Sequence, residues 1–121
     1  LAGIEWMIEA FGCTEAALRD SQRMQSLFNE IVSEMHLKPV GAPVWHKFSG
    51  GGGVTGVWLL QESHLTLHSF PEYGSLCLNL FCCRLRFPYD WEKRLPLLVG
   101  AKEVEVREYP RIYDRQMKVF V

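Results

Sequence analysis

The sequence predicts an α+β protein, a two-layer α/β sandwich with two helices on one face of an antiparallel sheet. Three observations carry this. Several stretches alternate apolar and polar residues with a period of two, as half-buried strands do. Residues 15–36 repeat their apolar side chains at helical spacing, and a second helical segment follows Asp90. The chain has 121 residues, 48% of them apolar, which suits one compact domain over residues 1–121 and not two.

Residues 3–12 read as the first strand, with Ile4, Trp6, Ile8 and Phe11. Thr14 is placed to N-cap the helix 15–36, with Glu15 in its favourable first turn. Leu18, Met24, Leu27, Phe28, Ile31, Val32 and Met35 form the helix's apolar face. Pro39 and Pro43 bracket the entry to a second strand ending near Phe48. The glycine run 50–53 is a flexible loop; no Lys-Ser/Thr and no helix follow it, as a phosphate-binding loop requires. Strands are expected at 54–61, 64–70 and 75–83.

In the last of these, Leu76, Leu78, Leu80 and Cys82 alternate with Cys77, Asn79, Phe81 and Cys83. The leucine face belongs to the core, so Cys82 packs and Cys83 lies on the functional face. Asp90 caps a helix that Pro96 limits or kinks and Gly100 stops. Residues 102–109 alternate Val104 and Val106 with charges, as a half-exposed strand does.

Composition excludes several function classes. Thirteen basic residues against fourteen acidic leave no field for nucleic acid or an anionic membrane. No apolar run reaches the roughly 20 residues of a membrane span. The chain opens at Leu1 without a basic leader segment, an expectation of a trimmed start and no secretory signal. Cys13, Cys77, Cys82 and Cys83 show no C-x-x-C spacing and sit among apolar residues, which predicts reduced thiols in a cytoplasmic protein. His64 and His68 are four apart, a spacing that suits a helical metal site and not a strand, and no third ligand is evident.

The unusual feature is the break between strands 54–61 and 64–70. It reads Glu62-Ser63-His64, where a hairpin turn ordinarily carries Gly, Asn, Asp or Pro. The run Glu62-Ser63-His64-Leu65-Thr66, then His68, then Phe70-Pro71-Glu72-Tyr73-Gly74 resembles the self-cleavage segment of the S-adenosylmethionine decarboxylase proenzymes of the short bacterial and archaeal class. Arg111, Tyr113 and Asp114 echo a further Arg-x-Tyr-Asp of that family.

The resemblance implies self-cleavage between residues 62 and 63, into a β chain of residues 1–62 and an α chain of residues 63–121. The cofactor is a pyruvoyl group made from Ser63, with no metal and no pyridoxal phosphate. Ser63 attacks the carbonyl of Glu62. Thr55 stands where the family has a serine hydroxyl beside the oxyanion, and His68 matches the base that takes the α-proton. A straight strand points Ser63 and His68 to opposite faces, so a bend between them is expected. Cys83 matches the donor that returns a proton to the substrate's Cα after CO2 leaves.

Phe48 and Phe70 match aromatic residues that sandwich adenine, and Leu65 and Glu72 are carried over with them as substrate-binding positions. The family also implies a homodimer packed sheet to sheet into four α/β/β/α layers, with sites near the interface. One position departs: Glu5 replaces a common histidine. That carboxylate leaves a basic amino acid such as arginine or ornithine open as the substrate. An unprocessed, non-catalytic paralogue is the third expectation.

Overall fold

The computed structural model describes residues 3–84 and 87–117. The elements run β1 (Gly3–Phe11), α1 (Glu15–Arg19), α2 (Ser21–Glu34), β2 (Val44–Lys47), β3 (Val54–Leu60), β4 (Ser63–Phe70), β5 (Ser75–Cys82), α3 (Trp91–Val99) and β6 (Glu103–Arg111). The strands form one antiparallel sheet in the order β2-β3-β4-β5-β1-β6. The architecture is the α+β arrangement expected from the alternation.

The expected single helix 15–36 is two. Asp20 adopts an extended backbone (ψ 102°) and its carboxylate accepts the N–H groups of Gln22 and Arg23 at 3.0 and 3.2 Å. An aspartate that can satisfy two orphan donors favours a fresh N-cap over a continued helix. Thr14 takes the N-cap position of α1 without a side-chain bond; its own N–H donates to the carbonyl of Val99 at 3.0 Å. Pro96 does not end α3, which runs through it to Gly100, a left-handed cap at φ 70°. Strand β6 extends to Arg111, two residues past the expected end.

The core lies between the helices and one face of the sheet. Leu18, Met24, Leu27, Phe28, Ile31 and Met35 are fully buried against Leu65, Leu67, Leu76, Leu80 and Cys82, with Val32 half-buried. Each large side chain so buried contributes about 1.5–3 kcal/mol of transfer free energy. Glu30 on α2 ties the helical layer together: it accepts two bonds from the Arg94 guanidinium, at 2.7 and 3.0 Å, and one from the buried Tyr89 hydroxyl. The hydrogen bonds from Arg94, and then the one from Tyr89, hold the Glu30 carboxyl below its usual range despite partial burial.

The other face of the sheet carries Glu5, Met7, Glu9 and Phe11 from β1, Val57 and Leu59 from β3, His64, Thr66, His68 and Phe70 from β4, and Cys77, Asn79 and Phe81 from β5. No helix covers it among the described residues. Met7, Val57, Leu59 and Phe70 are among its exposed apolar side chains.

Candidate active site

At one end of this open face, Leu60 pairs with Ser63, leaving Gln61 and Glu62 as a two-residue turn. Its geometry is held from outside. The N–H of Gln61 donates to the carbonyl of Lys38 at 2.8 Å, and the N–H of Val40 donates to the carbonyl of Leu59 at 2.9 Å. The Lys38 N–H donates to the Glu62 carboxylate at 3.1 Å, and Glu62 is only 4% exposed.

The carbonyl oxygen of Glu62, the acceptor next to Ser63, takes the backbone N–H of Cys83 at 3.1 Å. Cys82 is wholly buried while Cys83, just past the end of β5, is half-buried. The Tyr113 hydroxyl donates to the Cys83 carbonyl at 2.9 Å. A cavity of about 160 Å³ lies here, lined by Lys38, Gln61, Glu62, Cys83 and Arg84.

Thr55 and His68 lie elsewhere. They pair with one another across β3 and β4, and Thr55 Oγ1 is 3.0 Å from His68 Nδ1. The pairing of β4 with β5 is unbroken from Ser63↔Cys82 to Phe70↔Ser75. The expected bend between Ser63 and His68 is therefore absent. The two residues are five positions apart on opposite faces of one strand, about 17 Å along it. Thr55 is equally remote from the Glu62 carbonyl of its own chain.

Phe48, Phe70 and Glu72 belong to this second end. Phe48 and Phe70 are 49% and 37% exposed, the ring of His46 stands edge-on to Phe48 at 4.6 Å, and Glu72 is exposed in the turn after Phe70. Leu65 is fully buried on the helical side of the sheet, because its place in the alternation is that of Leu67. Its side chain packs in the core and is not presented on the open face.

Between the ends runs a polar chain. Asn79 donates through Nδ2 to Glu5 at 2.8 Å. Its amide oxygen is thereby left to accept His64 Nε2–H at 2.8 Å. Arg111 closes the chain with an ion pair to Glu5 and lies over the Phe81 ring, 5.4 Å from its centroid. The hydrogen bond from Asn79, and then Arg111, holds the Glu5 carboxyl below its ordinary value despite partial burial. Arg111 and Tyr113 thus reach residues of this face from the C-terminal segment. The sequence signal for them is Arg111-x-Tyr113-Asp114.

Among the described residues no three His, Cys, Asp or Glu side chains are grouped to hold a metal, and no helix is long and apolar enough to cross a membrane.

Residues 4–112 match the family described as S-adenosylmethionine decarboxylase. A curated S-adenosylmethionine decarboxylase proenzyme of Clostridium tetani is 31% identical over 117 residues, covering 93% of this chain and 90% of that one. The proenzyme of Pyrococcus furiosus is 32% identical over 121 residues, covering 98% and 84%. The crystal structure of the adenosylmethionine decarboxylase of Aquifex aeolicus superposes with a TM-score of 0.78 over 98% of both chains at 20% identity, a likeness of fold.

Proposed function

Because the chain belongs to the S-adenosylmethionine decarboxylase family, we propose that it is a self-processing proenzyme and that its mature form decarboxylates S-adenosylmethionine. The product is the aminopropyl donor for spermidine and other polyamines. The observation that carries this reading is the Cys83 N–H bonded to the Glu62 carbonyl at 3.1 Å. It puts a fixed donor on the oxygen that becomes negative when the neighbouring Ser63 hydroxyl attacks.

Ser63 Oγ attacks the Glu62 carbonyl carbon, and the Glu62–Ser63 C–N bond breaks as the Ser63 nitrogen takes a proton, leaving an ester. Removal of the Ser63 α-proton expels Glu62 as a carboxylate. Water then displaces ammonia from residue 63. The chain becomes a β fragment of residues 1–62 and an α fragment of residues 63–121.

The residues around Ser63 fit the pyruvoyl group: Ser63 opens β4, Cys83 stands beside the Glu62 carbonyl, and a cavity lies against Glu62 and Cys83. That group supplies a ketone able to accept the electron pair left at the substrate's Cα when CO2 departs. The thiol of Cys83 returns a proton to that carbon.

Thr55 and His68 act in a second copy of the chain. Two open faces packed about a two-fold axis near Thr66 and Asn79 would lay the Thr55–His68 pair of one protomer over the Glu62–Ser63 bond of its partner. The exposed Met7, Val57 and Leu59 support this face as the homodimer interface, giving the four-layer assembly. Phe48 and Phe70 offer flat faces for adenine and for the sulfonium charge. The free thiols support a reducing, cytoplasmic setting.

A basic amino acid as substrate has less support, since the Glu5 carboxylate that suggested it is already engaged by Arg111 and Asn79. The test is the intact mass of the purified, denatured protein. Two fragments split before residue 63, the second with the mass of a pyruvoyl terminus, are expected; one uncut chain would overturn the reading in favour of an unprocessed paralogue.

A further inference from the structure

The loop between β2 and β3 carries four consecutive glycines, 50–53, a composition that leaves a chain flexible. Here two cations tie it down, and a third bond joins them to one another. Arg19, the last residue of α1, donates through Nε to the carbonyl of Gly51 at 2.6 Å. Lys47, the last residue of β2, donates through Nζ to the carbonyl of Gly52 at 2.8 Å and to the carbonyl of Arg19 at 2.7 Å. Arg19 is itself oriented by Glu15, 2.6 Å away.

The anchors close on Phe48. Its N–H donates to the carbonyl of Gly53 at 3.0 Å. A Cβ at Gly52 would lie 2.8 Å from the Phe48 Cβ, and one at Gly53 would lie 1.9 Å from the Ser69 carbonyl oxygen. Gly52 and Gly53 are thus required by close packing of the loop on Phe48 and β4, Gly50 and Gly51 take left-handed φ of 69° and 75°, and the two cations tie the loop at the carbonyls of Gly51 and Gly52. Both cations bond to carbonyl oxygens, and charge-assisted bonds of this kind are among the stronger ones.

We propose that Arg19 and Lys47 are positioning residues for substrate binding, which fix the loop so that Phe48 presents its ring as a preformed face for the planar part of the substrate. This rests on the reading of Phe48 as a substrate-stacking residue. An aromatic face held in place before binding spares the complex the cost of ordering the loop. Neither cation touches substrate; both act through Phe48.

The test is a double-mutant cycle with S-adenosylmethionine as the probe. Lys47→Ala is expected to raise KM roughly tenfold while kcat and the extent of cleavage stay unchanged. In a Phe48→Leu background the same substitution should add nothing, because the ring it positions is gone. Lys47→Arg should restore the loop and most of the affinity.

An unchanged KM in Lys47→Ala, or an equal loss with and without Phe48, would overturn the proposal. Equilibrium dialysis of S-adenosylmethionine on the uncleavable Ser63→Ala chain, with and without Lys47→Ala, reads the same positioning without turnover. There, binding weakened by Lys47→Ala supports it, and binding unchanged by Lys47→Ala, or absent from both chains, overturns it. Failure of the decarboxylase reading itself shows separately, as a wild-type chain that stays uncut.

Discussion

The two ends of the open sheet face are built from different material. Around the Glu62–Ser63 bond the partners are mostly main chain: the N–H of Cys83 on the Glu62 carbonyl, the N–H of Lys38 on the Glu62 carboxylate, and the N–H of Gln61 on the Lys38 carbonyl. Around His68 they are side chains, a threonine hydroxyl on an imidazole nitrogen and exposed aromatic rings. Backbone donors are fixed by the fold and suit an oxyanion that forms in one place. Imidazole and hydroxyl groups can exchange protons and suit steps in which a proton must move. In the reaction we propose, each end alone would hold half of what is needed.

The most severe way to break this comparison is to disable one end in each of two co-expressed chains. Ser63→Ala alone and His68→Ala alone should both be inactive. Mixed dimers should place the intact Ser63 of one chain under the intact His68 of the other. Random pairing then restores about a quarter of the wild-type sites. Activity that stays at zero in mixed dimers confirmed by native mass spectrometry would mean that each protomer acts alone.

A smaller effect sharpens the chemistry of the second end. Thr55→Val keeps the shape of the side chain and removes the hydroxyl from His68 Nδ1. It should slow self-cleavage roughly a hundredfold, whereas Thr55→Ser should cleave like the wild type. Cleavage rates followed by denaturing electrophoresis decide it, and equal rates for all three would remove Thr55 from the reaction.

The smallest effect lies between the ends. Glu5→Gln keeps a partner for Asn79 and loses the Arg111 charge pair, so S-adenosylmethionine turnover should change by about twofold or less. The folded pKa of Glu5 lies below the ordinary 4.5. Its contribution to stability is therefore complete above that value and is lost as the pH falls through the lowered one. Acid unfolding of Glu5→Gln should lack this component, worth at most about 1 kcal/mol. A large, selective loss of turnover on arginine or ornithine would instead revive the basic-substrate reading.

Much of this geometry was legible in the residues. Alternation alone separated buried Cys82 from half-buried Cys83, and helical spacing picked out the buried face of α2. The motif Glu62-Ser63-His64 marked a hairpin turn built without the usual turn residues. What the residues hid has physical causes. Asp20 could equally have been a solvated helix residue, and only the bonds it accepts show that it starts α2. Parity already placed Ser63 and His68 on opposite faces, and the bend expected between them is one that the unbroken register does not supply. Arg111 and Tyr113 reach their partners across the sheet, at sequence separations of 106 and 30 that no local pattern encodes.

The strand order has a consequence for the life history of the molecule. A cut between residues 62 and 63 puts β1, β2 and β3 in one fragment and β4, β5 and β6 in the other. In the sheet β1 lies between β5 and β6, so the fragments interleave and the cut leaves every strand pairing in place. Denaturation changes the picture. Before the cut, folding is a unimolecular search by one chain. After it, the same sheet must be reassembled from two chains, and its formation becomes a concentration-dependent encounter of second order. Refolding of the uncut chain should therefore be independent of protein concentration, whereas that of the proposed cut form should slow on dilution, because its two pieces must meet to rebuild the sheet.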